Sequence, residues 1–261
     1  MQVKFAQPCA TLPATLVLAA IAAAALLAGP SPARAQTPVA CEKIDHKAMT
    51  ALVCRVDMAS ADLRLFLNKP SGNPFGGFGP LRRELETRGK SLVFAMNGGM
   101  YHEDLSPVGL YVEDGKRLKE ANTNAGPGNF HMLPNGVFWF GEGKAGVTET
   151  KAFVKSRRKP SFATQSGPML VIGGKLHHRF LPDSTSHKVR NGVGVRDGGR
   201  TAVFAISQRS VTFHDFATLF RDKLGCNDAL FLDGSISSIY APQAGRIDFL
   251  FPMGPIIAVV E

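Results

Sequence analysis

Ten short apolar runs separated by glycine turns constrain this chain more than any other feature of it. They are Leu52 to Val56, Leu63 to Leu67, Ser91 to Met96, Val108 to Val112, Val137 to Phe140, Met169 to Ile172, Gly192 to Val195, Thr201 to Ile206, Ala229 to Leu232 and Ile256 to Val260. Runs of this length, rich in β-branched and aromatic residues, make strands and are too short for stable helices. The turns Glu113-Asp114-Gly115-Lys116, Pro134-Asn135-Gly136, Gly173-Gly174 and Asp197-Gly198-Gly199 predict antiparallel hairpins. Two segments break the pattern as amphipathic helices. Pro80 to Arg88 has proline at its start and Gly89 behind it, and in the second Thr212 is placed to cap, Asp215 sits in the first turn and Gly225 stops the helix. The expected fold is α+β: mainly antiparallel sheet, two principal helices packed on it, one domain.

The first 35 residues read as an export signal and are set apart. Lys4 precedes an apolar stretch from Leu12 to Ala28, and Ala33-Arg34-Ala35 is a small-residue cleavage site. A membrane anchor is the competing reading, but Pro13 and Gly29-Pro30 interrupt a run that is already short. The expected mature domain is therefore residues 36–261, exported to the periplasm or outside the cell, with no membrane span once the signal is gone. Loss of Lys4 and Arg34 lowers the formal charge from +9 to +7. That balance favours anionic partners. No arginine-rich run with interleaved aromatics is present to track a nucleic acid, and the densest basic cluster, Lys155 to Lys159, reads as a solvated loop.

Cys9 leaves with the signal, so Cys41, Cys54 and Cys226 remain. In an oxidising compartment a Cys41–Cys54 bridge would staple the new N-terminus to the first strand; pairing of either with Cys226 stays open at this level. No Cys/His spacing resembles a zinc site. His177 and His178 are adjacent, and on a strand they would point to opposite faces. No cofactor is expected, and a structural cation is left undecided.

Four polar-glycine clusters punctuate the strands: Asn97-Gly98-Gly99 with Tyr101, Ser166-Gly167-Pro168, Arg190-Asn191-Gly192, and Asp233-Gly234-Ser235-Ile236-Ser237-Ser238. Each taken alone is ordinary turn chemistry. The last places a carboxylate among hydroxyls where backbone can approach a ligand, and an arginine such as Arg190 suits a phosphate because its fork donates two parallel charged bonds. Pro80 to Tyr101 and Thr212 to Tyr240 share a helix, strand, polar turn and tyrosine layout. Packed side by side in one sheet, the two units would bring Asn97 to face Asp233.

The stretch Phe213 to Tyr240, with Leu224-Gly225-Cys226-Asn227-Asp228-Ala229 and the Asp233 turn, resembles the C-terminal signature of the phosphodiester glycosidase family. Asn97 to Tyr101, Ser166 to Pro168, Arg190 to Gly194 and the strand Ala202 to Ser207 match its other blocks in order, so the likeness runs from about Leu52 to Glu261. It departs in one place: Ser235 and Ile236 stand where much of the family has glycines.

The resemblance implies hydrolysis of a sugar 1-phosphodiester at the anomeric carbon, releasing sugar and phosphomonoester. On that basis Asp233 is the expected carboxylate, Arg190 and the amides of Gly98 and Gly99 the expected stabilisers of the leaving phosphate, and Asn97 a catalytic neighbour. Tyr101, Ser166, Gly167, Asn191, Gly234, Ser235, Ser237 and Ser238 are expected to contact substrate, a phosphorylated saccharide or cell-envelope glycoconjugate. Two other classes compete. A non-catalytic glycan-binding protein would use the same turns, and a metal-dependent phosphodiesterase would need a dense His/Asp set that is missing, since His102, Glu103 and Asp104 read as a solvated loop.

Overall fold

The computed structural model describes residues 1–6, 37–233, 236–249 and 252–261. The expected signal core and cleavage site, and Gly234 and Ser235 of the acidic turn, lie outside the described residues. Thr37–Glu261 forms one folded unit. No helix among the described residues is long and apolar enough to cross a membrane.

Among the described residues every strand pairing is antiparallel, as the short runs and tight turns demand, but the strands divide among three sheets. The first orders Val39–His46, Met49–Asp57, Thr201–Ser207, Asn191–Arg196, Asp228–Phe231, Met169–Ile172 and Lys175–Leu176. The second orders Arg246–Ile247, Ile239–Ala241, Leu92–Asn97, Ile256–Val260 and Asp62–Phe66. The third orders Lys116–Lys119, Tyr111–Glu113, Phe162–Ser166, Gly136–Gly141 and Lys144–Glu149. Glu113-Asp114-Gly115-Lys116 and Gly173-Gly174 are hairpin turns as expected, with Asp114, Gly115, Gly173 and Gly174 all at positive φ. Pro134-Asn135-Gly136 is not one. Asn135 is buried and its side-chain amide donates to Phe130 O at 3.0 Å, so the segment is a packed entry into a strand.

The three sheets meet in one core. Phe204 of the first sheet lies 5.1 Å from Phe94 of the second and 5.8 Å from Phe138 of the third, ring centre to ring centre. Burying each such ring contributes about 2–3 kcal/mol. The strand Thr201–Ser207 is covered on both faces: Ala202, Phe204 and Ile206 enter this core, while Val203 and Ala205 pack under the helix that begins at Phe213. That helix is capped as expected, Thr212 Oγ1 accepting from Asp215 N at 3.0 Å. It runs from Phe213–Thr218 into a wider turn over Leu219–Lys223, and Gly225 at φ +66 ends it. The other predicted helix spans Phe78–Glu86 and lays Phe78, Leu81 and Leu85 on the outer face of the second sheet. A third helix, Thr150–Ser156, went unpredicted; Glu149 caps it by accepting from Lys151 N and Ala152 N.

Cys41 and Cys54 stand directly opposite on neighbouring strands, 4.0 Å apart at Cα, and are bonded. Cys226 is free and buried, and desolvation pushes its thiol up to about 12. His177 and His178 lie beyond the end of the strand Lys175–Leu176. Their rings stack at 4.8 Å rather than facing apart, because the chain turns there.

The two helix-strand units do not share a sheet: Leu92–Asn97 is in the second and Asp228–Phe231 in the first. The chain leaves the first sheet after Phe231 and enters the second at Ile239, and that next strand, Ile239–Ala241, pairs with Leu92–Asn97 at Ile239 and Met96. The polar turns are thus brought together by a crossing between sheets.

Candidate active site

A crossing segment inside a core must satisfy its backbone polar groups without water, and an asparagine amide offers a donor and an acceptor at once. Two asparagines do this work, both fully buried. Asn97 Oδ1 accepts from Asn191 Nδ2 at 2.6 Å and from Ser238 N at 2.9 Å. Asn191 Oδ1 accepts from Asp233 N at 3.1 Å, and Asn191 O accepts from Leu232 N at 3.3 Å. Ser166 Oγ, arriving from the third sheet, donates to Leu232 O. Ser237 Oγ lies 2.9 Å from Asp233 O and 3.1 Å from Val189 O. The backbone of Asp233 is thereby bonded on both sides, its N–H by Asn191 of the first sheet and its carbonyl by Ser237 of its own turn, while Ser166 of the third sheet holds the preceding Leu232 and Asn97 of the second holds Asn191 and Ser238.

Beyond this junction opens a cavity of about 460 Å³ lined by Met100, Tyr101, His102, Glu103, Leu105, Val108, Asp233, Ile236 and Pro252. Asp233 is 8% exposed there. Tyr101 donates its hydroxyl to Pro252 O at 3.0 Å; burial, and after it the negative charge of Asp233, hold the phenol well above its ordinary pKa, so it stays a donor. His102 and Glu103 come from a small bridged loop in which His102 N donates to Ser106 O and Leu105 N to His102 O, both at 2.8 Å. Leu105 sits at φ +67, a conformation that costs a non-glycine residue about 1–2 kcal/mol, and it walls the cavity from there. Asp104 is turned to Ser106, whose amide and hydroxyl both donate to it and hold its pKa below the usual carboxylate value.

Several expected site residues are placed elsewhere. Arg190 is 1% exposed and does not line the cavity. Its Nε donates to Val211 O at 2.9 Å and its Nη2 to Ser186 O at 3.0 Å, while the guanidinium stacks 3.6 Å from the Phe213 ring. A weakly hydrated planar cation tolerates such a slot. Burial lowers its pKa to about 10, leaving it charged at neutral pH. The amides of Gly98 and Gly99 are spent as well, on Pro255 O at 2.6 Å and Thr164 Oγ1 at 3.1 Å. These glycines are needed for close packing, since a Cβ on Gly99 would lie 2.1 Å from Gln165 O. Asn97, Asn191, Ser166 and Ser238 are buried in the junction, and Gly167 packs against Asn135, where a Cβ would approach to 2.7 Å. Asp233 and Tyr101 do share the cavity. Sequence reasoning missed His102, Glu103, Met100, Leu105, Val108 and Pro252 as its lining; adjacency to Tyr101 was a signal for His102 and Glu103, whereas nothing in the sequence tied Pro252 to a loop some 150 residues earlier.

No group of three or more His, Cys, Asp or Glu suited to a metal occurs among the described residues. What the arrangement offers is two carboxyl groups, Asp233 and Glu103, beside an imidazole and an apolar wall.

Comparison with known proteins agrees with this architecture. The chain is 37% identical over 192 residues, 74% of each chain, to the uncharacterised protein YigE of Escherichia coli (strain K12). Its fold matches the zebrafish N-acetylglucosamine-1-phosphodiester alpha-N-acetylglucosaminidase catalytic domain, auto-inhibited by its pro-peptide, with a TM-score of 0.61 and 11% identity over 86% of this chain and 84% of that one. A hypothetical protein from Synechocystis matches with a TM-score of 0.53 and 12% identity over 84% of this chain and 61% of that one. The model of the phosphodiester glycosidase family matches residues 90–247, a span holding both asparagines, the Glu103 loop and Asp233, and the chain belongs to that family.

Proposed function

We propose that this protein is an exported hydrolase that cleaves a sugar 1-phosphodiester at the anomeric carbon, with Asp233 and Glu103 as its working carboxylates. The observation that carries the reading is that these two side chains, 130 residues apart, line one cavity while the buried asparagines fix the backbone of Asp233. The substrate class follows the printed activity of the zebrafish relative and the family of this chain. In the reaction the bond between the anomeric carbon and the bridging oxygen breaks, its electron pair leaves with the phosphomonoester, and water supplies hydroxide to the sugar and a proton to a base. A phosphomonoester is a good leaving group, so the demand falls on the positive charge that develops at the sugar. Asp233 meets that charge, and Glu103, on the exposed loop, takes the proton of the attacking water. With Arg190 sealed away, His102 is the one side chain among the described lining residues able to carry positive charge toward the leaving phosphate. The apolar wall of Met100, Leu105, Val108 and Ile236 suits the face of a sugar ring or its acyl substituent. Export is supported by the Cys41–Cys54 bridge and by the signal-like first 35 residues.

A glycan-binding protein without turnover is the second reading, favoured by the burial of Arg190 and by Ile236 in the cavity. Assay of a sugar 1-phosphodiester, read as free reducing sugar, separates the two. Asp233→Asn should lower kcat by at least about 10³-fold and Glu103→Gln by about 10–100-fold, each with an unchanged unfolding midpoint. Saturable binding without product in the wild type would select the second reading, and wild-type rates in both variants would remove these residues from the mechanism.

A further inference from the structure

The third sheet carries a second pair of clefts that the hydrolytic reading does not use. One, of about 270 Å³, is lined in part by Trp139, Glu142, Lys144, Arg158, Lys159 and Ser161. The other, of about 370 Å³, is lined in part by Arg117, Glu120, Thr123, Phe153, Arg157 and again Arg158 and Lys159. Arg158 and Lys159 line both and so mark the boundary the two clefts share. Five cations against two carboxylates line the two clefts together, and only Arg117 is neutralised, by Glu120 at 3.1 Å. Lys144, Arg157, Arg158 and Lys159 have no carboxylate within 4.0 Å among the described residues, as is also true of Arg83, Arg179, Arg200 and Arg209, which are not gathered at one cleft.

Unpaired cations are common on surfaces, but Arg158 is held in place. The Arg158 guanidinium lies 3.9 Å from the Trp139 ring centre, and Trp139 is itself fixed by its indole N–H donating to Thr148 Oγ1 at 2.9 Å. Stacking immobilises the flat face and leaves the N–H edges free to grip an anion. Arg157 ends the helix Thr150–Ser156 at φ +52, a position that glycine fills at lower conformational cost. The polypeptide keeps a long cation where a turn residue would be more stable.

We infer that this saddle is a binding site for an anionic polysaccharide, one acidic sugar unit seated in each cleft and Arg158 bridging them. Two recessed clefts across a shared boundary match successive units of a chain ligand. Ser161 and Thr123 add hydroxyls for sugar hydroxyls, and a flat bilayer would reach the boundary but not both floors. The inference is independent of the proposed hydrolysis at Asp233.

Heparin serves as the polyanionic probe and neutral dextran as its control, with full-length protein in 150 mM salt. Arg158→Gln/Lys159→Gln should weaken heparin binding about 10-fold or more, while Lys188→Gln/Lys223→Gln, which removes the same net charge at exposed sites elsewhere, should change it less than about 3-fold. Arg158→Lys, which keeps charge but loses the fork, should fall between them. Both double variants must unfold at the wild-type midpoint, as exposed substitutions should. Equal losses in the two double variants would reduce the effect to net charge and overturn the site. Binding to phosphatidylglycerol vesicles that exceeds heparin binding and depends on Arg158 and Lys159 would overturn the polysaccharide in favour of a membrane surface.

Discussion

Two polar regions touch at Asp233 and are built in opposite ways. In the junction, Asn97, Asn191 and Ser166 are fully buried and their side chains bond to other parts of the chain. In the cavity next to it, His102 and Glu103 stand on an exposed loop and face space. Asn97, Asn191, Ser166, Gly98 and Gly99, which look most like ligand groups in a motif, are therefore architecture. They spend their hydrogen bonds on holding a crossing segment, and the side chains that face the cavity come from that segment and from the loop opposite.

The comparison breaks most sharply at Asn191. Replacement by alanine leaves Asp233 N without its acceptor and Asn97 Oδ1 with one donor fewer, inside a packed core. The expected loss is about 3–5 kcal/mol in denaturant unfolding, larger than a surface asparagine would show. Catalysis should decline with folded fraction, and the folded remainder should keep its KM. A variant with wild-type stability and lost turnover would move Asn191 from the junction to the cavity and erase the distinction.

Arg190→Met tests the same boundary with a residue whose chemistry points the other way. Methionine keeps much of the volume against Phe213 but abandons Val211 O and Ser186 O, for an expected loss of about 2–3 kcal/mol. If the arginine acted on the leaving phosphate, kcat would collapse while the unfolding midpoint held. The structure predicts the reverse ordering of the two effects.

What the sequence disclosed follows the same division. Strands with apolar faces, such as Thr201–Ser207 and Ile256–Val260, were legible because burial on the sheet faces needs apolar side chains. Phe162–Ser166 was not, since its buried Thr164, Gln165 and Ser166 carry no hydrophobic signal; Gln165 instead accepts from Leu110 N and Asn122 N, both at 2.9 Å. Lys116–Lys119 escaped for the opposite reason, being exposed along its whole length. At the site, Asp233 and Tyr101 could be read from composition and family likeness. Which polar residues face inward depends on the crossing between sheets, a long-range fact that local pattern does not encode. Arg190 illustrates the cost: its residue type suggested a phosphate, and its surroundings give it two carbonyls and an aromatic ring.

The smallest expected effect concerns the column that backs Arg190. His178, His177, Phe180 and Phe213 stack in succession at 4.8, 4.8 and 4.9 Å, ending at the arginine. His177 is 1% exposed; its Nδ1 accepts from Arg179 N at 3.2 Å and its Nε2 has no hydrogen-bond partner among the described residues. Burial, followed by the neighbouring charge of His178, lowers its pKa to about 4. An unfolded histidine titrates near 6.5, so between pH 6.5 and 4 the unfolded chain takes a proton that the folded chain refuses. Stability is then complete above pH 6.5 and is lost as pH falls through that window, by about 2.5 kcal/mol at pH 4.5 from this group alone. His177→Phe retains the stack and removes the titration. It should lose the bond to Arg179 N at every pH yet show a drop between pH 7.5 and 4.5 smaller than wild type by that same amount. Identical drops would mean that His177 protonates in the folded state, that water reaches the column, and that the dry side of the comparison extends no further than the two asparagines.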